Sequence, residues 1–482
     1  MVAQAQSESF DLILVGTGFA SSFFLKKYLE KNEQPVRVLV LERGVKFTHR
    51  ERLHFKQTDD TYNGINWKSA QRAFINETPE KEWVFDPNFG GSSNCWTGCT
   101  PRFMPNDFKL NSVYGIGKDW PLSYTDIETY YEEAEEIMSV SGPSITPFPK
   151  KGKYPLPPHQ LSSIDQILQK EYGNLYISQP TARASRAIGR RAACCSSTVC
   201  NLCPMNAKFT IENTLDYLYE KADIKVLLGA KVYGLDLVGD TARSVLYEID
   251  GQRKEARGEI IALGANAIFN AHILLNAGDT NKNTGRGLCE QAGVYVYLHY
   301  DGLDNVGGGS VIPANGFMMY DGDHRKDRAA CLIEHHNLPY IRNERGKWRM
   351  LSKFKFVYED IPGDGNKVVP SDDLFLPKVN FEGHSPYTMR AIDQLSADIE
   401  KFFSVLPVEK VIKDNYIQKT EAHICSTTRM SETPKEGVVD ANLIHHQYRN
   451  LLVLGSGVYP TISAANPTLT LSALSLRAAD HL

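Results

Sequence analysis

The stretch GTGFAS, Gly16 to Ser21, offers chemistry through its backbone. Its first glycine permits a tight turn, and its second lets amide groups approach a pyrophosphate at a helix N-terminus. Ser21 stands where such loops usually carry a third glycine. Glu42 lies 26 residues after Gly16 at the end of an apolar run, where a carboxylate can take both hydroxyls of a ribose. Together these features predict dinucleotide binding over a plain strand-to-helix turn. They do not separate FAD from NAD.

A second dense stretch, RRAACCSSTVCNLCPMNAK, gathers Cys194, Cys195, Cys200 and Cys203 within ten residues. Cys195, Cys200 and Cys203 follow C-x4-C-x2-C, the opening of a plant-type iron-sulfur run, and a proline follows the last thiol as in bacterial ferredoxins. A [2Fe-2S] or [4Fe-4S] cluster needs four protein ligands, and adjacent Cys194 and Cys195 rarely serve one cluster, whereas three suffice for [3Fe-4S]. Zinc, or cysteines left free or joined in disulfides, are the alternatives. Arg183, Arg186, Arg190 and Arg191 either offset thiolate charge or form a solvated basic face.

Elements must hold these groups. FDLILVGTGFASSFFLKKYLEK reads as strand, turn and helix, with Phe23, Phe24 and Tyr28 on the apolar stripe, and Val36 to Leu41 as a parallel second strand. From Gln57 to Arg102 the composition predicts a long functional loop, and Pro143 to Pro158 an exposed connection. Thr125 and Glu128 offer a capping box to a helix carrying Ile127, Tyr130, Tyr131, Ala134, Ile137 and Met138. KVLLGAKVYGLDLVGD, SVLYEIDG and GEIIALGAN read as a β-meander that re-enters the first sheet. KWRMLSKFKFVYED and PKVNFEG alternate like antiparallel strands, and Ile392 to Leu406 mark an amphipathic helix. The expected fold is α/β (α+β overall). A Rossmann-like domain spans 1–305 with the cysteine-rich segment 194–203 inside it, an antiparallel-sheet-plus-helices domain spans 306–422, and 423–482 returns to the first.

The chain of 482 residues is 42% hydrophobic and 23% charged, the profile of a globular protein with more than one folding unit. A net charge of -4, from 53 basic and 57 acidic residues, leaves no electrostatic footprint for nucleic acid or an anionic membrane. No apolar run approaches the roughly 18 residues of a membrane span, and the opening MVAQAQSESF lacks the parts of a signal peptide. Nine cysteines, an odd number, fit a reducing compartment, so a cytoplasmic location is expected.

In order and spacing, GTGFAS, GGSSNCWTG, DWPLSYTDIETYYEEAE, HICSTTRM, GVVD, NLLVLGSGVYPT and NPTLT resemble the glucose-methanol-choline family of FAD-dependent oxidoreductases. The resemblance runs from Phe10 to Leu482, and is nearest to the pyranose oxidase and glucose dehydrogenase branches. It implies that Gly90, Gly91 and Ser92 bring backbone to the isoalloxazine ring, with Asn94 and Cys95 at its reactive edge. Cys95 takes the place of a flavin-linking histidine, which implies noncovalent FAD. Val232, Gly455, Pro467 and Thr468 are implied as further cofactor contacts.

The same resemblance makes His423 the base that accepts the hydroxyl proton while hydride leaves for flavin N5, and Asn466 its orienting partner. Asn466 and Pro467 suit the cap and first position of the final helix. His445 and His446 resemble a structural surface turn. The cysteine run resembles the CC-x4-C-x3-C-P run of the glucose dehydrogenase branch, with its last gap one residue shorter. The expected activity is oxidation of a hydroxyl of a sugar, glycoside or polyol, with oxygen or an electron carrier as acceptor and a small subunit or cytochrome as a further partner. Tyr340, Arg342, Trp348 and Arg349 supply stacking and hydrogen-bonding groups to the substrate domain. Rival readings are a non-redox flavoprotein, a lyase or isomerase, and an electron-transfer subunit of a dehydrogenase complex.

Overall fold

The computed structural model describes residues 9–58 and 72–482. The opening MVAQAQSE and residues 59–71, the latter within the loop read from Gln57, lie outside the described residues. Two large sheets organise the rest. In the first, the order is Ile224–Leu228, Val38–Glu42, Ser9–Val15, Gln252–Leu263, Thr241–Ile249 and Lys231–Val238, with Leu451–Val453 also beside Gln252–Leu263. Ser9–Val15 pairs in parallel with Val38–Glu42 and with the C-terminal half of Gln252–Leu263, whose N-terminal half pairs antiparallel with Thr241–Ile249. One long strand thus serves both the Rossmann-like core and the meander.

Val38–Glu42 is buried along its whole length, as a parallel strand covered on both faces must be. The opening helix Phe19–Lys31 buries Phe23, Phe24 and Tyr28 and packs on the final helix Thr468–Asp480, which packs in turn on Tyr124–Met138. That third helix is capped by Ser123 and Asp126, two residues earlier than Thr125 and Glu128, because the Ser123 amide donates to Asp126 at 2.7 Å.

The second sheet is antiparallel, in the order Val408–Lys413, Ala292–Tyr300, Leu351–Tyr358, Cys331–His336, Ala314–Met319 and Tyr176–Ser178. It takes in Ala292–Tyr300 and Tyr176–Ser178, both within the range read as the first domain, because periodicity shows a strand but not its partner. One face packs Val296, Leu298, Phe354 and Phe356 against Leu395, Ile399 and Phe403. The expected long helix is two, Pro386–Asp393 and Leu395–Phe403. The other face carries Tyr295, Lys355, Glu334 and Asn315 as one cross-strand row.

Arg325, fully buried, is held between Asp107 at 2.9 Å and Glu359 at 2.6 Å. Asp107 also accepts from Ser463 at 2.9 Å, which fixes the segment leading to Asn466. Leu288–Cys289 and Cys425–Ser426 form a two-residue antiparallel ladder where the chain leaves the first layer and returns to it. Among the described residues no helix is long and apolar enough to cross a membrane.

Candidate active site

The strand Ser9–Val15 ends at Gly16, whose φ of +89° is left-handed. A Cβ at this position would lie 2.7 Å from the Gly264 carbonyl oxygen, so only glycine fits. A Cβ on Gly264 would fall 2.0 Å from Ser21 Oγ. The close helix-to-strand packing that a third glycine in the loop would give is therefore supplied by Gly264, and Ser21 seals the joint by donating to the Val15 carbonyl at 3.3 Å. Gly18 precedes the helix without a side-chain cap, leaving the first-turn amides for a ligand.

Glu42 is buried, and its carboxylate accepts from Thr17 N at 3.1 Å, Thr17 Oγ1 at 2.7 Å and Gly44 N at 2.8 Å. It shapes the loop before it meets any ribose. Thr17 Oγ1 also accepts from Gly90 N at 2.9 Å, which draws the GGSS turn against the dinucleotide loop. There a Cβ on Gly91 would come within 3.0 Å of Gly18 Cα. Two backbones meet without side chains between them.

Around this crossing lies a cavity of about 310 Å³ lined by Gly16, Gly18, Glu42, Gly91, Ser92 and Cys95. Val232, Gly455, Pro467 and Thr468 line it as well, and so do His423 and Asn466. The structure thus gathers twelve expected residues on one cavity. The exceptions are Ser21, Gly90 and Asn94, which serve the loops instead: Asn94 Nδ2 donates to the Phe89 carbonyl at 2.9 Å and faces a smaller void. Collision at Gly16, the bare Gly18 and Gly91 crossing and uncapped helix amides on one cavity fit the flavin dinucleotide. Arg43, stacked 4.4 Å over Phe269, and Gly264 line it too and escaped the sequence reading. Only the short GEIIALGAN signal pointed to Gly264.

At the far wall His423 follows Ala422, a non-glycine residue at φ +59°. Glu290 holds this turn, one of its carboxylate oxygens accepting from Thr420 Oγ1 at 2.9 Å and from the amides of Glu421 at 2.8 Å and His423 at 2.9 Å. The other oxygen pairs with Lys81. His423 Nδ1 lies 2.8 Å from Gln291 Oε1, and Gln291 Nε2 donates to the Ser463 and Ala465 carbonyls at 2.9 and 3.0 Å. A single carboxamide thereby joins the His423 turn to the segment carrying Asn466.

Asn466 Nδ2 donates to Glu334 at 3.2 Å, and its Oδ1 is buried with no hydrogen-bond partner. The final helix begins at Thr468 with Pro467 as its cap, so Asn466 precedes the cap and spends its amide on Glu334. Burial pushes the Glu334 carboxyl up, but His336, Lys355 and the Asn466 amide outweigh it and hold the group below the usual carboxylate range. Burial pushes His423 down to about 4, against the pull of Glu334 and with the help of Lys355 and Lys81, so the imidazole is neutral at neutral pH. None of Gln291, Glu290 or Glu334 was legible as a site residue beforehand.

Cys95 donates weakly to the Ser92 carbonyl at 3.6 Å, and burial pushes its thiol up to about 12. In the cysteine run Cys194, Cys195, Cys200 and Cys203 are free thiols. Among the described residues, no three His, Cys, Asp or Glu side chains form a group that could hold a metal ion. Cys194 points at the Gly309 carbonyl, Cys203 accepts from the Ala207 amide at 3.3 Å, Cys195 is exposed and Cys200 packs with Cys99 and Ile312. Residue counting gave the spacing, and left-handed turns at Ser196 and Thr198 shape the run between Cys195 and Cys200. The arginines do other work: Arg183 and Arg191 are buried on backbone carbonyls, Arg190 pairs with Asp216 and Arg186 is exposed.

Tyr340, Arg342, Trp348 and Arg349 do not line the cavity. Tyr340 accepts from Lys353, Arg342 pairs with Glu344 and Glu409, Arg349 pairs with Asp304, and Trp348 is exposed. His446 bonds Ser431 at 3.2 Å, while His445 is buried beside Asp279 at 3.5 Å, a packed joint and not a surface turn.

Residues 387–475 match the family model described as GMC oxidoreductase. The fructose dehydrogenase large subunit of Gluconobacter japonicus is 26% identical, over 98% of each chain. The 6'''-hydroxyparomomycin C oxidase of Streptomyces lividus is 22% identical over 98% of this chain and 92% of its own, and the 2-methyl-1,2-propanediol dehydrogenase of Mycolicibacterium austroafricanum 23% over 98% and 95%. In fold, the chain superposes on pyridoxine 4-oxidase from Mesorbium loti with a TM-score of 0.63 at 17% identity, covering 98% of this chain and 99% of that one. Residues 387–475 thus carry a GMC oxidoreductase segment, and over its whole length the chain is similar to dehydrogenases and oxidases that act on hydroxyl groups.

Proposed function

We propose that the protein oxidises a hydroxyl of a sugar, glycoside or related polyol to the carbonyl, with His423 as the proton acceptor and Asn466 as the group that orients the substrate. The observation that carries this reading is the pairing of a neutral imidazole with an unpartnered buried amide oxygen on the wall of one cavity. Bound FAD would supply the hydride acceptor, held by the amides after Gly18 and the Gly90 to Ser92 turn.

The chain's own part is to place and deprotonate the alcohol. His423 Nε2, which makes no hydrogen bond among the described residues, takes the hydroxyl proton as the carbon gives up hydride, and Asn466 Oδ1 keeps the substrate in register. Cys95, half-buried on the cavity wall with its thiol held protonated, supports noncovalent FAD. The relatives' names, fructose, hydroxyparomomycin C and a propanediol, support a polyhydroxy substrate.

The test is an anaerobic visible spectrum of the holoenzyme before and after a panel of sugars, glycosides and polyols. Bleaching of the flavin bands is expected, and His423→Ala should keep FAD while slowing bleaching by about 100-fold or more. Equal bleaching in the variant refutes the base assignment.

A further inference from the structure

Two second-layer residues set which atoms the substrate meets. Gln291 Nε2 faces two backbone carbonyl oxygens, which can only accept, so the amide is fixed with Oε1 toward His423. An amide oxygen carries no proton, so the 2.8 Å contact requires the hydrogen on His423 Nδ1 and leaves Nε2 as a bare lone pair. Glu334 works the same way on the other side. Its carboxylate also accepts only, which commits Asn466 Nδ2 to it and turns Oδ1 outward, buried and unpartnered.

From this polarity we infer that the site presents two acceptors, His423 Nε2 and Asn466 Oδ1, and therefore selects a substrate with two O–H donors, the reacting hydroxyl and a neighbouring one. A lone alcohol has one hydroxyl proton and satisfies one acceptor. A polyol satisfies both: the reacting proton goes to Nε2 and the neighbouring hydroxyl donates to Oδ1. Gln291 and Glu334 touch neither, and are positioning residues that assign the donor and acceptor roles. The inference rests on His423 and Asn466 being the substrate-facing pair.

The row in which Glu334 sits supports this assignment. Tyr295, Lys355, Glu334 and Asn315 are cross-strand neighbours on one face, and Lys355 lies between Glu334 and Glu421. A cation beside Glu334 keeps that carboxylate an acceptor. The arrangement leaves Asn466 no reason to flip.

The holoenzyme tests it in two ways. D-Fructose, D-glucose, D-sorbitol and propane-1,2-diol are compared by anaerobic flavin bleaching, and the fastest serves as parent. Its analogues replacing the neighbouring hydroxyl by hydrogen, fluorine or methoxy should all react about 10- to 100-fold more slowly, since each leaves a buried acceptor unpaired. A fluoro or methoxy analogue that reacts like the parent overturns the inference, because it lacks only the donor. Glu334→Gln can donate to Asn466 Oδ1 and turn Nδ2 outward, and should shrink the gap to within about 3-fold; an unchanged gap counts against the role of Glu334. Nitrogen-15 spectra of the histidine ring, assigned by loss in His423→Gln, need no turnover: Nδ1 protonated and Nε2 bare is expected, and the opposite tautomer overturns the inference. Gln291→Leu should mix the tautomers. If no panel member bleaches the flavin, the substrate reading fails while the ring spectra still decide the polarity.

Discussion

A histidine kept neutral by burial leaves a mark on folding that can be measured apart from catalysis. His423 has its ordinary midpoint of about 6.5 in the unfolded chain and about 4 in the native one. Because the native value is the lower, the unfolded state binds more protons between these limits, and stability falls as pH drops through this window and is unaffected above it. At pH 5 the unfolded imidazole is about 97% protonated and the native one about 9%, which is worth about 2 kcal/mol against folding relative to pH 8. His423→Gln removes this single contribution. Urea denaturation of both holoproteins with matched FAD, at pH 8, 6.5 and 5, should show the variant gaining about 2 kcal/mol on the parent between the ends of the series, whatever its offset at pH 8. Other buried histidines, such as His159, cancel in the difference. Two curves that decline in parallel, within about 0.5 kcal/mol, refute the claim that burial holds this ring neutral.

Gly16→Ala places a Cβ 2.7 Å from a backbone oxygen in a left-handed residue, and should yield protein without flavin, read as the ratio of visible to ultraviolet absorbance. Arg325→Met leaves Asp107 and Glu359 buried without their cation, and should cost about 3–5 kcal/mol by denaturant titration. Iodoacetamide at pH 8 should label exposed Cys195 while Cys95 stays unmodified, and acid precipitation should release FAD into the supernatant.

What the sequence showed well was chemistry confined to one turn. Gly16, Gly18, Gly91 and Glu42 are recognisable because the residues that explain them are near in the chain or line the same cavity. Gln291 and Glu334 were opaque for the opposite reason. Each owes its role to a group more than 130 positions away, Gln291 to His423 and Glu334 to Asn466, and nothing in CEQAG or LIEHH announces that. Strand Ala292–Tyr300 was misplaced for a similar cause, since pairing with Leu351–Tyr358 and Val408–Lys413 is a property of the sheet. In the cysteine run the spacing left a cluster, zinc and free thiols open, because spacing gives the order of the thiols and not their partners, and the four stand as free cysteines.

The ladder between Leu288–Cys289 and Cys425–Ser426 has a consequence for how such a chain diversifies. Gln291 stands at the exit from the first layer and His423 at the return, so residues 292–422 form a cassette clasped at both ends by backbone hydrogen bonds. Most of the second sheet lies in that cassette, and His423 and its tether Gln291 stand at the clasp. A lineage that exchanges the cassette acquires a new cavity wall and, through the residue at position 334, a new instruction for Asn466. His423 keeps its contact with Gln291 throughout, because both residues stand at the clasp.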